Sequence, residues 1–166
     1  MTPNPPRVVF NCNVYLQAMI SPNGPAARCL ELARQGAMKV VVSDYVLAEI
    51  RDLPNDHKVA AKFQLTVEKA ERFVVALVRF AEHLGMPPDN YQHPFDPDDS
   101  HYVNLAIASN ANPIVSRDRH LLNLMDPARP EGRDFLALYP AIRIMDPVAF
   151  LRWINHEIAG TSPRPN

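Results

Sequence analysis

Four short runs constrain this chain most: Arg7-Val8-Val9-Phe10, Lys39-Val40-Val41-Val42, Pro113-Ile114-Val115-Ser116 and Arg143-Ile144-Met145. Each is brief, apolar and rich in β-branched residues without alternation, as expected of strands covered on both faces. Between them the apolar spacing becomes helical. Val14 to Ile20 reads as a helix. Pro25, after the turn-forming Ser21-Pro22-Asn23-Gly24, opens another that runs to about Gln35, where Gly36 supplies a stop. Ser43 is a good N-cap for a helix through Tyr45, Val46 and Ile50 that ends near Pro54. After Thr66 the residues Val67, Ala70, Val74, Leu77, Ala81 and Leu84 form one apolar stripe. That stripe predicts a long helix whose polar face carries Glu68, Glu71, Arg72 and Glu82. Asp98-Asp99 opens a helix through Leu105 and Ala108, Asp118 starts a turn from Arg119 to Leu124, and Pro147 to Ile158 reads as a last helix. Strands alternating with helices predict an α/β fold with a central, mainly parallel sheet and helices on both faces.

Seventeen prolines against five glycines punctuate these elements rather than interrupt them. A chain of 166 residues, 47% apolar, is long enough for one core. The expected organisation is a tail at residues 1–6, a single domain at 7–158 and a flexible tail at 159–166. No stretch approaches the roughly 20 apolar residues of a membrane span, so no membrane association is expected. The start MTPNPPRVV lacks the layout of a secretory signal, and a cytoplasmic protein is expected. Cys12 and Cys29 form no Cys-x-x-Cys pair and read as small apolar residues. Seventeen basic against 18 acidic side chains leave a net charge of -1, a weak long-range attraction for nucleic acid. A local basic rim around an acidic pocket would escape that sum.

In an open α/β sheet the usable crevice lies beyond the carboxyl ends of the strands. The residues there are polar: Asn11-Cys12-Asn13, Ser43-Asp44 with Glu49 further along its helix, and Ser116-Arg117-Asp118. Asp96, Asp98 and Asp99 precede the helix that leads into the third of the four runs. Asn11, Glu49, Asp99 and Asp118 are the expected inward members. Crowded carboxylates repel one another unless a cation holds them, which points to a hard divalent ion, Mg²⁺ or Mn²⁺. Such an ion lowers the pKa of bound water and neutralises charge on a phosphodiester, chemistry that needs neither a cysteine nor a serine nucleophile. Taken singly, Asp99 and Asp118 read as helix caps, Glu49 as a solvated helix residue and Asn11 as a turn former. Six histidines show no zinc spacing, and no glycine-rich phosphate loop or Gly-x-Ser-x-Gly elbow is present.

The segments Val8 to Val14, Ser43 to Ile50, Asp96 to Ala106 and Ile114 to Asp118 together resemble the PIN domain, over roughly Arg7 to Leu124. The similarity is greatest to the toxin components of toxin–antitoxin pairs, the VapC-type ribonucleases. Asp146 to Leu151 resembles a common C-terminal extension. The resemblance implies a Mg²⁺- or Mn²⁺-dependent endoribonuclease acting on RNA, self-association into a homo-oligomer, and neutralisation by a cognate antitoxin. By position it implies that Glu49, Asp99 and Asp118 bind metal and that Asn13 and Ser116 support the site.

Two departures stand out. The family carries Asp where this chain has Asn11, so one negative charge is missing and catalysis is expected to be weakened or silenced. Ser100 stands where many relatives carry an acid, which leaves Asp96 or Asp98 as alternatives to Asp99. The competing reading is an inactive module that binds RNA or a partner protein. A phosphatase loop at Asn11-Cys12-Asn13-Val14 is disfavoured, because its nucleophile would be an amide and Lys69 is the last lysine in the chain.

Overall fold

The computed structural model describes residues 4–161. Five strands among them, β1 (Arg7–Phe10), β2 (Lys39–Val42), β3 (Glu82–His83), β4 (Pro113–Val115) and β5 (Arg143–Met145), form one parallel sheet in the order β3-β2-β1-β4-β5. The chain adds strands to one side of β1 and then to the other, so β1 and β4 border the topological switch point. Val9 stands level with both Val41 and Ile114, and Phe10 with Val115. The next residues, Asn11 and Ser116, therefore leave the sheet together at its carboxyl edge.

Val8, Val9 and Phe10 are each 0% exposed, as are Val40, Val41 and Val42. Successive strand side chains point to opposite faces, so both faces are covered, as the continuous apolar runs predict. The described helices are α1 (Cys12–Ile20), α2 (Pro25–Arg34), α3 (Asp44–Asp52), α4 (His57–Phe63), α5 (Val67–Val78), α6 (Ser100–Ser109), α7 (Arg119–Leu122), α8 (Pro130–Leu138) and α9 (Pro147–Thr161). Helix α6 lies on β1, β2 and β4, α9 on β4 and α2, and α1 on α2 and α3. None of the described helices is long and apolar enough to cross a membrane.

Three expectations are corrected. The stripe after Thr66 does not continue as helix to Leu84: α5 stops at Val78, and Glu82–His83 becomes the edge strand β3. The backbone of β2 decides this, since the Val42 carbonyl accepts the Leu84 N–H at 2.9 Å and the Asp44 N–H is satisfied by the Gly85 carbonyl at 2.8 Å. Ala81 and Leu84 still pack on the core from this different backbone, whereas Val67 is 63% exposed. Helices α4 and α8 arise where no helix was expected, the first capped by Asp56 and the second opened by Pro130. Helix α9 runs three residues past Ile158, and the rest of the expected C-terminal tail, with residues 1–3 of the N-terminal one, lies outside the described residues.

The core is organised around Phe10, whose ring meets those of Tyr15 and Phe150, each at 5.9 Å between centroids. Phe10→Ala should cost about 3–5 kcal/mol in urea unfolding, while Val67→Ala should stay within about 0.5 kcal/mol of the parent. Equal effects would contradict this assignment of the core.

Candidate functional site

The acids come from different elements: Asp118 follows β4, whereas Asp96 and Asp99 precede α6. Asp118 comes two residues after Ser116, whose hydroxyl accepts the Asp118 N–H at 2.9 Å. Its own Oδ1 accepts the His120 N–H at 2.7 Å and caps α7, so capping and membership of the site coexist in one side chain. Asp96 and Asp99 bracket a 3₁₀ turn (Pro97–Asp99) that leads into α6. One oxygen from each of Asp96, Asp99 and Asp118 lies within 4.8 Å of the others. Asp98 is exposed and lines the neighbouring cleft instead.

The loop carrying Asp96 is stapled by Asn104 and His93, which sequence reading did not single out as site residues, and by Ser100, which it singled out only as a departure from the family. Asn104 accepts the N–H groups of Asn90 and Tyr91 at 3.0 and 2.8 Å, and its amide nitrogen donates to the Tyr91 carbonyl at 3.0 Å. Ser100 accepts the His93 N–H at 2.8 Å. His93, 1% exposed, accepts from the Phe95 and Asp96 N–H groups on Nδ1, at 3.2 and 3.0 Å. Nε2 must then carry the ring proton, which it donates to the His120 carbonyl at 3.0 Å. One imidazole thus joins the proline-rich loop to the element capped by Asp118, fixing Asp96 relative to Asp118.

Glu49 comes from α3, which Ser43 caps through the Val46 N–H at 3.2 Å. Its two carboxylate oxygens meet His101 Nε2 and the Tyr102 hydroxyl, and Tyr102 also accepts the Cys12 N–H at 2.9 Å. Burial, with the charge of Glu49, holds the Tyr102 hydroxyl well above its ordinary pKa, so it donates. Asn11 is 5% exposed; its N–H donates to the Val115 carbonyl at 2.9 Å and its Oδ1 caps α1 by accepting the Asn13 N–H at 3.1 Å. Asn13 in turn accepts the Arg117 N–H at 3.3 Å. Asn caps about as well as Asp, so the amide at position 11 preserves the local fold while leaving one charge out.

Asp99 bears the electrostatic cost. Burial first, then the charges of Asp118, Asp96 and Glu49, push its carboxyl from 3.8 up to about 7. Its Oδ2 is buried without a hydrogen-bond partner among the described residues. An orphaned carboxylate oxygen beside two further carboxylates is the donor set a hard divalent cation takes, so the residues fit such an ion.

The sign of the pH effect follows from the raised pKa. Without metal, the folded chain keeps a proton on Asp99 that the unfolded chain has lost, so this group's contribution to stability falls as pH rises from about 4 to about 7. In EDTA, Asp99→Asn should therefore gain stability relative to the parent across that window in urea unfolding; a difference independent of pH would contradict the assignment.

A family model described as PIN domain matches residues 7–120, more than half of the chain. The uncharacterised protein MJ1680 of Methanocaldococcus jannaschii is 27% identical over 122 residues, covering 72% of this chain and 76% of that protein. The fold is similar to a chain in the crystal structure of VapBC2 from Rickettsia felis bound to a DNA fragment from their promoter. The TM-score is 0.53 at 14% identity, over 84% of this chain and 98% of that one. Family match, parallel-sheet architecture and the acids gathered at its carboxyl edge agree: this chain belongs to the PIN domain family.

Proposed function

We propose that the chain is a divalent-metal-dependent endoribonuclease of the VapC toxin type, weakened by Asn11, acting on RNA in the cytoplasm as one half of a toxin–antitoxin pair. The observation that carries this reading is the gathering of Asp96, Asp99 and Asp118 within 4.8 Å around an unpartnered buried oxygen. Glu49, Asp99 and Asp118 hold the cation and orient water, and Asp96 supplies a further carboxylate beside Asp99 and Asp118. A Mg²⁺ or Mn²⁺ ion held there activates water and neutralises charge that develops on a phosphodiester. Arg117 and Arg119 flank Asp118 and are exposed, a basic rim for the RNA backbone that the net charge of -1 conceals. The VapBC2 likeness supports a cognate antitoxin as partner, and self-association of the chain is part of the same proposal.

A second reading, a module that binds RNA or a partner protein without cutting, is favoured by Asn11. Its side-chain oxygen is engaged as a helix cap, and the charge that an acid would add is absent.

Cleavage of a single-stranded RNA with Mn²⁺ or Mg²⁺ tests both readings. The parent should cut slowly and Asn11→Asp about 10- to 100-fold faster, the scale of effects on metal affinity or activity around such centres. Asp118→Ala should abolish cutting. RNA binding with no metal uptake and no cleavage by either the parent or Asn11→Asp would favour the second reading. No cleavage by Asn11→Asp under any metal, with metal binding unchanged in Glu49→Ala, would overturn the nuclease.

A further inference from the structure

Glu49 differs from the other acids of the site in that each of its oxygens already has a protein partner, and both partners sit in the first turn of α6. Tyr102 is 1% exposed, and its oxygen accepts the Cys12 N–H at 2.9 Å. The single hydroxyl proton is thereby directed at Glu49 Oε2. The His101 side chain is 14% exposed, and Nδ1 is buried without a hydrogen-bond partner among the described residues. An imidazole bearing one proton avoids burying an unpaired N–H only by placing it on Nε2, which faces Glu49 Oε1. The ring is kept in that place by Tyr102 at 4.0 Å and Tyr45 at 5.6 Å between centroids.

We infer that His101 and Tyr102 are positioning residues for Glu49. They fix the plane of its carboxylate against α6, two and three residues beyond Asp99, so that one turn of helix sets the separation of two acids drawn from different parts of the chain. A carboxylate has about four lone-pair sites, so two donors leave room for a cation or a water on the remaining ones. Through the Cys12 N–H, Tyr102 also ties this arrangement to the start of α1, beside its cap Asn11. The part of His101 and Tyr102 is to hold Glu49 still, and the inference rests on the metal-dependent reading above.

The test is Mn²⁺ affinity, measured by calorimetry on the metal-stripped full chain alongside thermal melting in EDTA. His101→Ala and Tyr102→Phe should each weaken Mn²⁺ binding about 10-fold or more, within the range known for partners that orient metal ligands. His101→Gln, whose amide N–H reaches the same oxygen, should recover most of the loss although it melts no higher than His101→Ala. A purely structural role would make affinity track melting temperature and give no recovery by Gln. If both variants bind Mn²⁺ as the parent does while Asp118→Ala does not, the positioning role is wrong and the metal site stands. If Asp118→Ala also binds normally, the metal reading fails and the inference with it. Should Tyr102→Phe not fold, the comparison of His101→Ala with His101→Gln decides the matter alone.

Discussion

Like charges crowded together and partly shielded from water are the constraint on which this molecule turns. Asp96, Asp99 and Asp118 converge where solvent is scarce enough to move the Asp99 carboxyl up to about 7. A fold gains nothing from such repulsion, and nearby backbone is organised to endure it: Ser116, His93 and Ser100 each accept backbone N–H groups that fix the loops carrying the acids. Structure that holds repelling groups in place without a stabilising return in the free chain is characteristic of a site whose energy is recovered on binding.

The sheet explains why the acids meet here. Parallel strands ending at one level deliver the residues that follow them to one edge, and the order β3-β2-β1-β4-β5 opens a crevice between the exits of β1 and β4. Asn11 and Ser116 leave from those two strands, Asp118 follows Ser116, and α6, lying on β1, β2 and β4, brings Asp99 across from its own side. Asn11, Ser116 and Asp118 also serve the fold as caps or loop staples, whereas Asp99 stands at the start of α6 without a side-chain cap bond. That double use is plain at position 11, where Asn caps α1 as well as an acid would without adding a charge to the site.

Much of this was legible in the sequence, for identifiable reasons. Strands β1 and β2 are readable within their bounds because burial on both faces demands uninterrupted apolar residues, whereas β5 is an edge strand that buries Ile144 alone. Strand β3 is not readable in this way, since Glu82 and His83 are polar: they pair with β2 through the backbone, and their side chains reach Arg7 at 3.1 Å and Asp44 at 2.6 Å rather than an apolar core. Helices α4 and α8 left little stripe to read: α4 buries no residue fully, and α8 buries Gly132 and Phe135. At the site, residues next to strand ends were readable from position, whereas the choice among Asp96, Asp98 and Asp99 depended on a 3₁₀ turn. His101 and Tyr102 were hidden for a different reason. They meet Glu49 across 52 and 53 residues of sequence, and no local pattern carries such a contact.

The account stands most directly on where a divalent ion goes. Crystals of the chain soaked in Mn²⁺ and measured at the manganese absorption edge should give one strong anomalous peak about 2 Å from oxygens of Asp99 and Asp118, with Asp96 and Glu49 beside it. A peak elsewhere on the surface, or none at Mn²⁺ concentrations that saturate an ordinary carboxylate site, would contradict it.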